Sequence, residues 1–217
     1  MHRPTYSGIF SGISPKNNGR LPLTRFFVCL CSLVFSSVFL YAADLQAGQK
    51  AYEQKDYDSA MKELAPLAQA GKVEAQILLG KMYMLGQGVP KDTDAALKWF
   101  RAAADKGNAE AQFFLGAMYL LPAKDIPQGL KWLRLSAEQG TPDAQLLLGM
   151  TYLKGTDVPH DLVAADMWLH LAASQGDQFA PSQCERAERE MTPDQIAKAR
   201  TLAAEWKTKI PAHHRND

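Results

Sequence analysis

The first residues whose spacing could support chemistry are Ser59 and Lys62, in the run Ser-Ala-Met-Lys. A lysine one helical turn beyond a serine can accept the hydroxyl proton and activate the oxygen for acyl transfer, as in the serine enzymes that react with β-lactams. Those enzymes carry companion Ser-Asp-Asn and Lys-Thr-Gly motifs. Neither occurs here, and Lys207-Thr208-Lys209 is no substitute. The pair therefore reads as two solvent-facing residues of a helix. The histidines offer no better site. His213 and His214 are adjacent near the C-terminus and lack a third ligand, His160 falls in a loop, and His170 follows Trp168 in a helix. There is no His-Glu-x-x-His, and the spacings match no zinc motif, so no metal ligand is expected. Gly86-x-Gly88 follows a helical pattern rather than a strand, which argues against dinucleotide binding. No catalytic or cofactor-binding residue is assigned, and the chain is expected to be a non-enzyme without a cofactor.

The remaining residues must then be read for what they build. The chain has 217 residues, 47% hydrophobic, enough for one domain with a substantial core. It carries 24 basic and 23 acidic side chains. Residues 1–43 hold Arg3, Lys16, Arg20 and Arg25 and no acid, which leaves 20 basic against 23 acidic groups beyond them. That balance offers no cationic field for nucleic acid, and none is expected as a partner. The 18-residue run Phe26 to Ala43 has no charge, follows Arg20 and Arg25, and ends in small residues. This is the order of a secretory signal. The run is also at the lower edge of a membrane helix, for which about 17–25 apolar residues are needed. An uncleaved inner-membrane anchor stays open beside a cleaved signal, and membrane contact is expected only through residues 26–43. Cys29 and Cys31 lie outside any lipobox-like context. Cys184 is the only cysteine after this segment, so no intrachain disulfide is expected, and packing is its simplest role.

Beyond the apolar run the chain repeats itself, and the repeats outrank any single motif. Ala75-Gln-Ile-Leu-Leu-Gly-Lys-Met-Tyr aligns with a segment from Ala111 and another from Ala144. Each precedes a tryptophan helix that closes on glycine. The closing residues Gly71, Gly107, Gly140 and Gly176 are 36, 33 and 36 residues apart. Leu79 and Tyr83 recur with their equivalents at helical spacing. The pattern predicts first helices near 73–85, 109–121 and 142–154, and second helices near 92–106, 126–139 and 161–175. None is long enough to be stable alone, so each must bury an apolar face on a neighbour. Gly80, Gly116 and Gly149 fall inside predicted helices, where glycine costs about 1 kcal/mol relative to alanine. Their recurrence predicts tight crossings without room for a Cβ, with Trp99, Trp132 and Trp168 in wider gaps. Tyr119 to Trp132 is three residues shorter than Tyr83 to Trp99 or Tyr152 to Trp168, a change that falls in a loop.

Boundaries carry their own signals. The closing glycines suit the left-handed position after a helix. Asp92 and Asp161 are placed to cap the tryptophan helices, and Thr141-Pro142 reads as a cap with a first-turn proline. Ser182 with Glu185 resembles a capping box, and Thr192-Pro193-Asp194-Gln195 is a clearer one. The helix after it has Ile196, Ala199, Leu202, Ala203 and Trp206 on one stripe, suited to cover the last open face of a stack.

These positions together resemble the Sel1-like repeat, a branch of the tetratricopeptide-type helical repeats. The first full unit carries Ala75, Leu79, Gly80, Tyr83, Gly86, Gly88, Val89, Asp92, Ala96, Trp99, Ala103, Ala104 and Gly107. The last carries Ala144, Leu148, Gly149, Tyr152, Gly155, Val158, Asp161, Ala165, Trp168, Ala172, Ala173 and Gly176, with Asp157 where the family has a glycine. The middle unit keeps Ala111, Leu115, Gly116, Tyr119, Trp132, Ala137 and Gly140, loses the glycine loop, and has Ser136 for an alanine. The resemblance implies an all-α, α/α superhelical solenoid. It divides the chain into a signal or anchor (1–43), a degenerate tetratricopeptide-like unit (44–71), three Sel1-like units (72–107, 108–140, 141–176), capping helices (177–210) and a tail (211–217). It also implies a non-catalytic scaffold or adaptor in the bacterial envelope, periplasmic or secreted, that binds a protein or peptide. A permanent structural subunit is the alternative, with a β-lactam-interacting serine enzyme a distant third. Disulfides between repeat helices, found in some relatives, do not transfer to a chain without paired cysteines.

Overall fold

The structure is a computed structural model and describes residues 45–121, 125–156 and 158–209. The apolar run 26–43, Cys29, Cys31, the tail 211–217 with His213 and His214, and Asp157 lie outside the described residues. All described residues belong to the compact unit Tyr41–Asp217. They form helices throughout. Residues 45–53 (α1) lead into α2 (Tyr57–Gln69), α3 (Val73–Leu85), α4 (Thr93–Ala104), α5 (Ala109–Leu120), α6 (Ile126–Glu138), α7 (Pro142–Lys154), α8 (Leu162–Ser174), α9 (Ala180–Glu188) and α10 (Pro193–Lys209). The helices pair within a unit (α3 with α4, α5 with α6, α7 with α8) and across units (α2 with α3, α4 with α5, α6 with α7). This is the all-α solenoid of stacked helix pairs.

Side-chain caps set where the helices begin. Asp56, Asp92, Asn108, Asp125 and Asp161 each accept a hydrogen bond from the backbone N–H three residues on. Each satisfies a donor that the helix cannot. The four closing glycines have φ between +86° and +93°, the left-handed region in which a side chain is strained. Thr192 and Gln195 form the reciprocal box, Thr192 N–H donating to Gln195 Oε1 and Gln195 N–H to Thr192 Oγ1. Two expected caps differ. Thr141 occupies the cap position of α7 without a side-chain bond, so the start there rests on Pro142 at the first turn. Ser182 does not open α9. The helix starts at Ala180, and Asp177 accepts from the N–H groups of Phe179 and Ala180, while Ser182 Oγ donates to the Phe179 carbonyl.

The interior glycines lie at the crossings. A Cβ on Gly116 would stand 2.8 Å from the backbone nitrogen of Leu133 and 3.0 Å from the Gly129 carbonyl oxygen. One on Gly149 would stand 3.0 Å from the Ala165 carbonyl oxygen. At Gly80 the close neighbour is a side chain, the Phe100 ring at 2.7 Å. Trp132 and Trp168 are buried, whereas Trp99 is half-buried against the first units. The fully enclosed anchors are the residues that follow the tryptophans: Phe100, Leu133 and Leu169, each 0% exposed. α10 packs on α8, with Trp206 edge-on to Trp168 at 5.3 Å between centroids.

Candidate binding surface

The residues of the repeat pattern are distributed through the stack rather than gathered at one point. Ala75, Leu79, Ala111 and Ala144 are buried, with Gly80, Gly116, Gly140 and Gly149. Tyr83, Tyr119 and Tyr152 are half-buried, and Gly107 and Gly176 lie exposed in turns. Ser59 and Lys62 are both exposed, and the Ser59 backbone N–H bonds to Asp56. The Ser59 side chain also hydrogen-bonds the Asp56 carboxylate and holds that carboxyl below its usual range, so both contacts belong to the cap of α2.

A recurrent polar thread joins the helices. Gln76, Gln112 and Gln145 are buried, and their side-chain amides donate to the carbonyls of Ala68, Ala104 and Ala137 in the preceding unit. The residue before each closing glycine completes the line: Lys106 reaches Gln76, Gln139 reaches Gln112 at 2.7 Å, and Gln175 reaches Gln145 at 2.7 Å. These buried amides thereby meet the hydrogen-bonding demand that burial imposes. Sequence reasoning did not single them out, although glutamine follows the alanine in all three aligned segments.

Two arginines form a second repeated feature. Arg101 donates to the Tyr119 hydroxyl and Arg134 to the Tyr152 hydroxyl of the following unit. The Arg101 guanidinium also lies over the Tyr119 and Trp132 rings, 5.6 and 5.8 Å from their centroids. His170 holds the equivalent place in the last unit. There it faces a polar cluster: Nε2 is 3.4 Å from Asp166 Oδ2 and 3.4 Å from Glu188 Oε1, with Cys184 beside it. The Asp166 carboxylate, and after it the Cys184 sulfur, lift the imidazole from its ordinary 6.5 to about 10. Arg200 bonds Glu188 at 2.8 Å and holds that carboxyl below the usual range.

An apolar groove of about 580 Å³ is bounded by α5, α7 and α9. Leu120, Leu121, Ile126, Leu147 and Met150 supply its apolar wall, and Arg186 stands at the rim. Leu121 is 72% exposed. The first full unit closes the corresponding junction. Tyr57 opens α2 as Ile126 opens α6, and Gln87 follows Gly86 as Thr156 follows Gly155. There Tyr52 donates to Gln87, Val89 packs into the neighbouring core, and Gly88 sits so close to Tyr57 that a Cβ would meet it at 2.5 Å. Around the middle unit, whose loop is three residues shorter, Ile126 and Thr156 instead line the groove.

A solenoid of helix pairs with tight glycine crossings defines a helical-repeat protein. The Sel1 repeat matches residues 73–108, 109–141 and 142–177, which are the three stacked helix-pair units, so the solenoid has Sel1-like, tetratricopeptide-type repeat architecture. Among solved structures, a Sel1 repeat protein from Oxalobacter formigenes is 28% identical with a TM-score of 0.62, covering 74% of this chain and 69% of that one. A protective antigen present in uropathogenic Escherichia coli strains, described as displaying an SLR fold, is 24% identical with a TM-score of 0.47, covering 80% of this chain and 47% of that one. No curated protein matches the sequence.

Proposed function

We propose that the chain is a protein-binding scaffold that works outside the cytoplasm of a bacterium, delivered there by residues 26–43. The observation that carries the binding role is the apolar groove between α5, α7 and α9 with Leu121 standing out of it. Exposed, contiguous apolar surface rimmed by charge is characteristic of a docking site for a peptide or a folded partner. Export is supported by the order of the N-terminal sequence: arginines, an uncharged run, small residues. Among the described residues no helix is long and apolar enough to cross a membrane.

A photo-crosslinking amino acid at position 121 of the full chain tests the reading in cells. The expected result is one recurrent cross-linked protein, lost when Ile126→Asp is added and unchanged by a control cross-linker at exposed Lys62. Capture that is the same from both positions, or absent from both, would overturn the groove as the binding surface. Size-exclusion chromatography of the cross-linked extract separates an exchanging adaptor from a permanent subunit. Protease accessibility in spheroplasts, with N-terminal sequencing of the product, tests export and cleavage.

A further inference from the structure

The strongest unexplained feature lies at the end of the repeats, where the pattern breaks at two linked positions. The residues two before and two after each tryptophan are Leu97 and Arg101, then Leu130 and Arg134, then Asp166 and His170. A leucine–arginine pair is thus replaced by a carboxylate–imidazole pair on α8. Positions four apart on a helix lie one above the other on the same face. The facing helix α9 presents a second such pair, Cys184 and Glu188. The ligand atoms of Asp166, His170 and Cys184 all lie within 4.8 Å of one another.

Asp166 is 0% exposed, and neither carboxylate oxygen takes a hydrogen bond. His170 Nε2 is likewise without a hydrogen bond. The carboxylate has the His170 charge 3.4 Å away but no hydrogen bond at this depth of burial, a costly state that a further bound cation would relieve. The spacing fits one ion. Nitrogen and oxygen ligands about 2.0–2.1 Å from a tetrahedral centre stand about 3.3 Å apart. His170 Nε2 is 3.4 Å from both Asp166 Oδ2 and Glu188 Oε1.

We propose that α8 and α9 form a site for a single zinc-class divalent cation, with Asp166, His170 and Cys184 as ligands and Glu188 at the fourth position. The donor set is one thiolate, one imidazole and carboxylates, which suits zinc and not magnesium or calcium. Binding releases the protons of the thiol and the imidazolium to solvent and changes no oxidation state. Arg200, 2.8 Å from Glu188 Oε1, orients that carboxylate from outside the site. The ion ties the last full unit to the cap that follows it.

Cobalt titration tests this in the full chain carrying Cys29→Ser and Cys31→Ser, so that Cys184 is the sole thiol. The expected result is one equivalent of Co²⁺ with a sulfur-to-cobalt charge-transfer band and tetrahedral d–d bands, both bleached by one equivalent of Zn²⁺. Zinc should also raise the melting temperature, because it binds the folded chain. Cys184→Ser should abolish the charge-transfer band. Asp166→Leu with His170→Arg, which restores the pair of the earlier units, should keep the helical circular dichroism and weaken zinc binding by more than the about 10–100-fold that loss of an outer partner costs. His213→Ala with His214→Ala should change nothing. No stoichiometric cobalt spectrum, or one that survives Cys184→Ser, would overturn the site. If the restoring variant unfolds, alkylation decides: zinc must protect Cys184 in the parent chain, and absence of protection overturns the proposal.

Discussion

Replacing Gly116 by alanine sets two effects of similar size against each other. In a helix interior alanine is favoured over glycine by about 1 kcal/mol. The added Cβ would meet Leu133 Cγ and the Leu133 backbone nitrogen at 2.8 Å, and the Gly129 carbonyl oxygen at 3.0 Å. Two of those three atoms are backbone and cannot turn aside, so α5 and α6 must separate by several tenths of an ångström. Overpacking a close-packed core costs about 1–3 kcal/mol, and a crossing without a rotamer escape belongs in the upper half of that range. The net loss is about 1–2 kcal/mol, a fall of about 2–8 °C in melting temperature for a chain of this size. Gly80→Ala serves as the comparison. Its three nearest atoms all belong to the Phe100 ring, which can tilt, and it should melt within about 2 °C of the parent because the helix-propensity gain offsets the strain. Gly80→Leu, by contrast, should be far worse than Gly80→Ala. Thermal denaturation by circular dichroism reads all three. A Gly116→Ala chain as stable as the parent, or equal effects of alanine at both sites, would refute the reasoning that backbone contact fixes these crossings.

Three further outcomes follow from the same packing. Gln145→Leu leaves the Ala137 carbonyl without its side-chain donor and removes the acceptor that Gln175 donates to, and should lower the urea unfolding free energy by about 1–3 kcal/mol, with the Gln145→Leu/Gln175→Leu pair less than additive. Trp132→Ala, at a buried site, should cost about 3–5 kcal/mol, and Trp99→Ala, at a half-buried one, clearly less; equal losses would sever burial from the repeat pattern. Deleting residues 193–217 uncovers Trp168 and should raise dye binding to exposed apolar surface and lower the melting temperature; an unchanged melt would show that α10 does not cap the stack.

The helix pairs were legible because independent signals coincide: the apolar period and the closing glycine at all three, and the acidic caps Asp92 and Asp161 at the first and last. Asp125, the cap of the middle pair, lies in the shortened loop and emerges only from the structure. What the sequence concealed has specific physical causes. Phe100, Leu133 and Leu169 were overshadowed by the tryptophans beside them, although the narrower residue is the one that fits against a glycine crossing. The glutamine thread was visible as a recurring letter with its partner carbonyl a constant eight residues back, but only the turn between the two helices brings the pair together. Asp177 stands three residues before α9 starts to turn and was passed over for a serine inside the helix. The α8–α9 cluster fits no metal-ligand motif because its four residues come from two helices. Its trace in the sequence is a departure from the repeat, which becomes apparent only once the repeat is aligned.

The glutamine thread bears on how such arrays change length. Across each joint the amide of Gln76, Gln112 or Gln145 addresses a main-chain oxygen in the last turn of the helix before it, and never a particular side chain. Any module ending in a helical turn presents that same oxygen. Gain or loss of a whole module would leave this main-chain bond available at the new joint, so the thread places no sequence demand on its neighbour. Only the two ends would need bespoke residues, and it is at the C-terminal end that Asp166 and His170 break the rhyme.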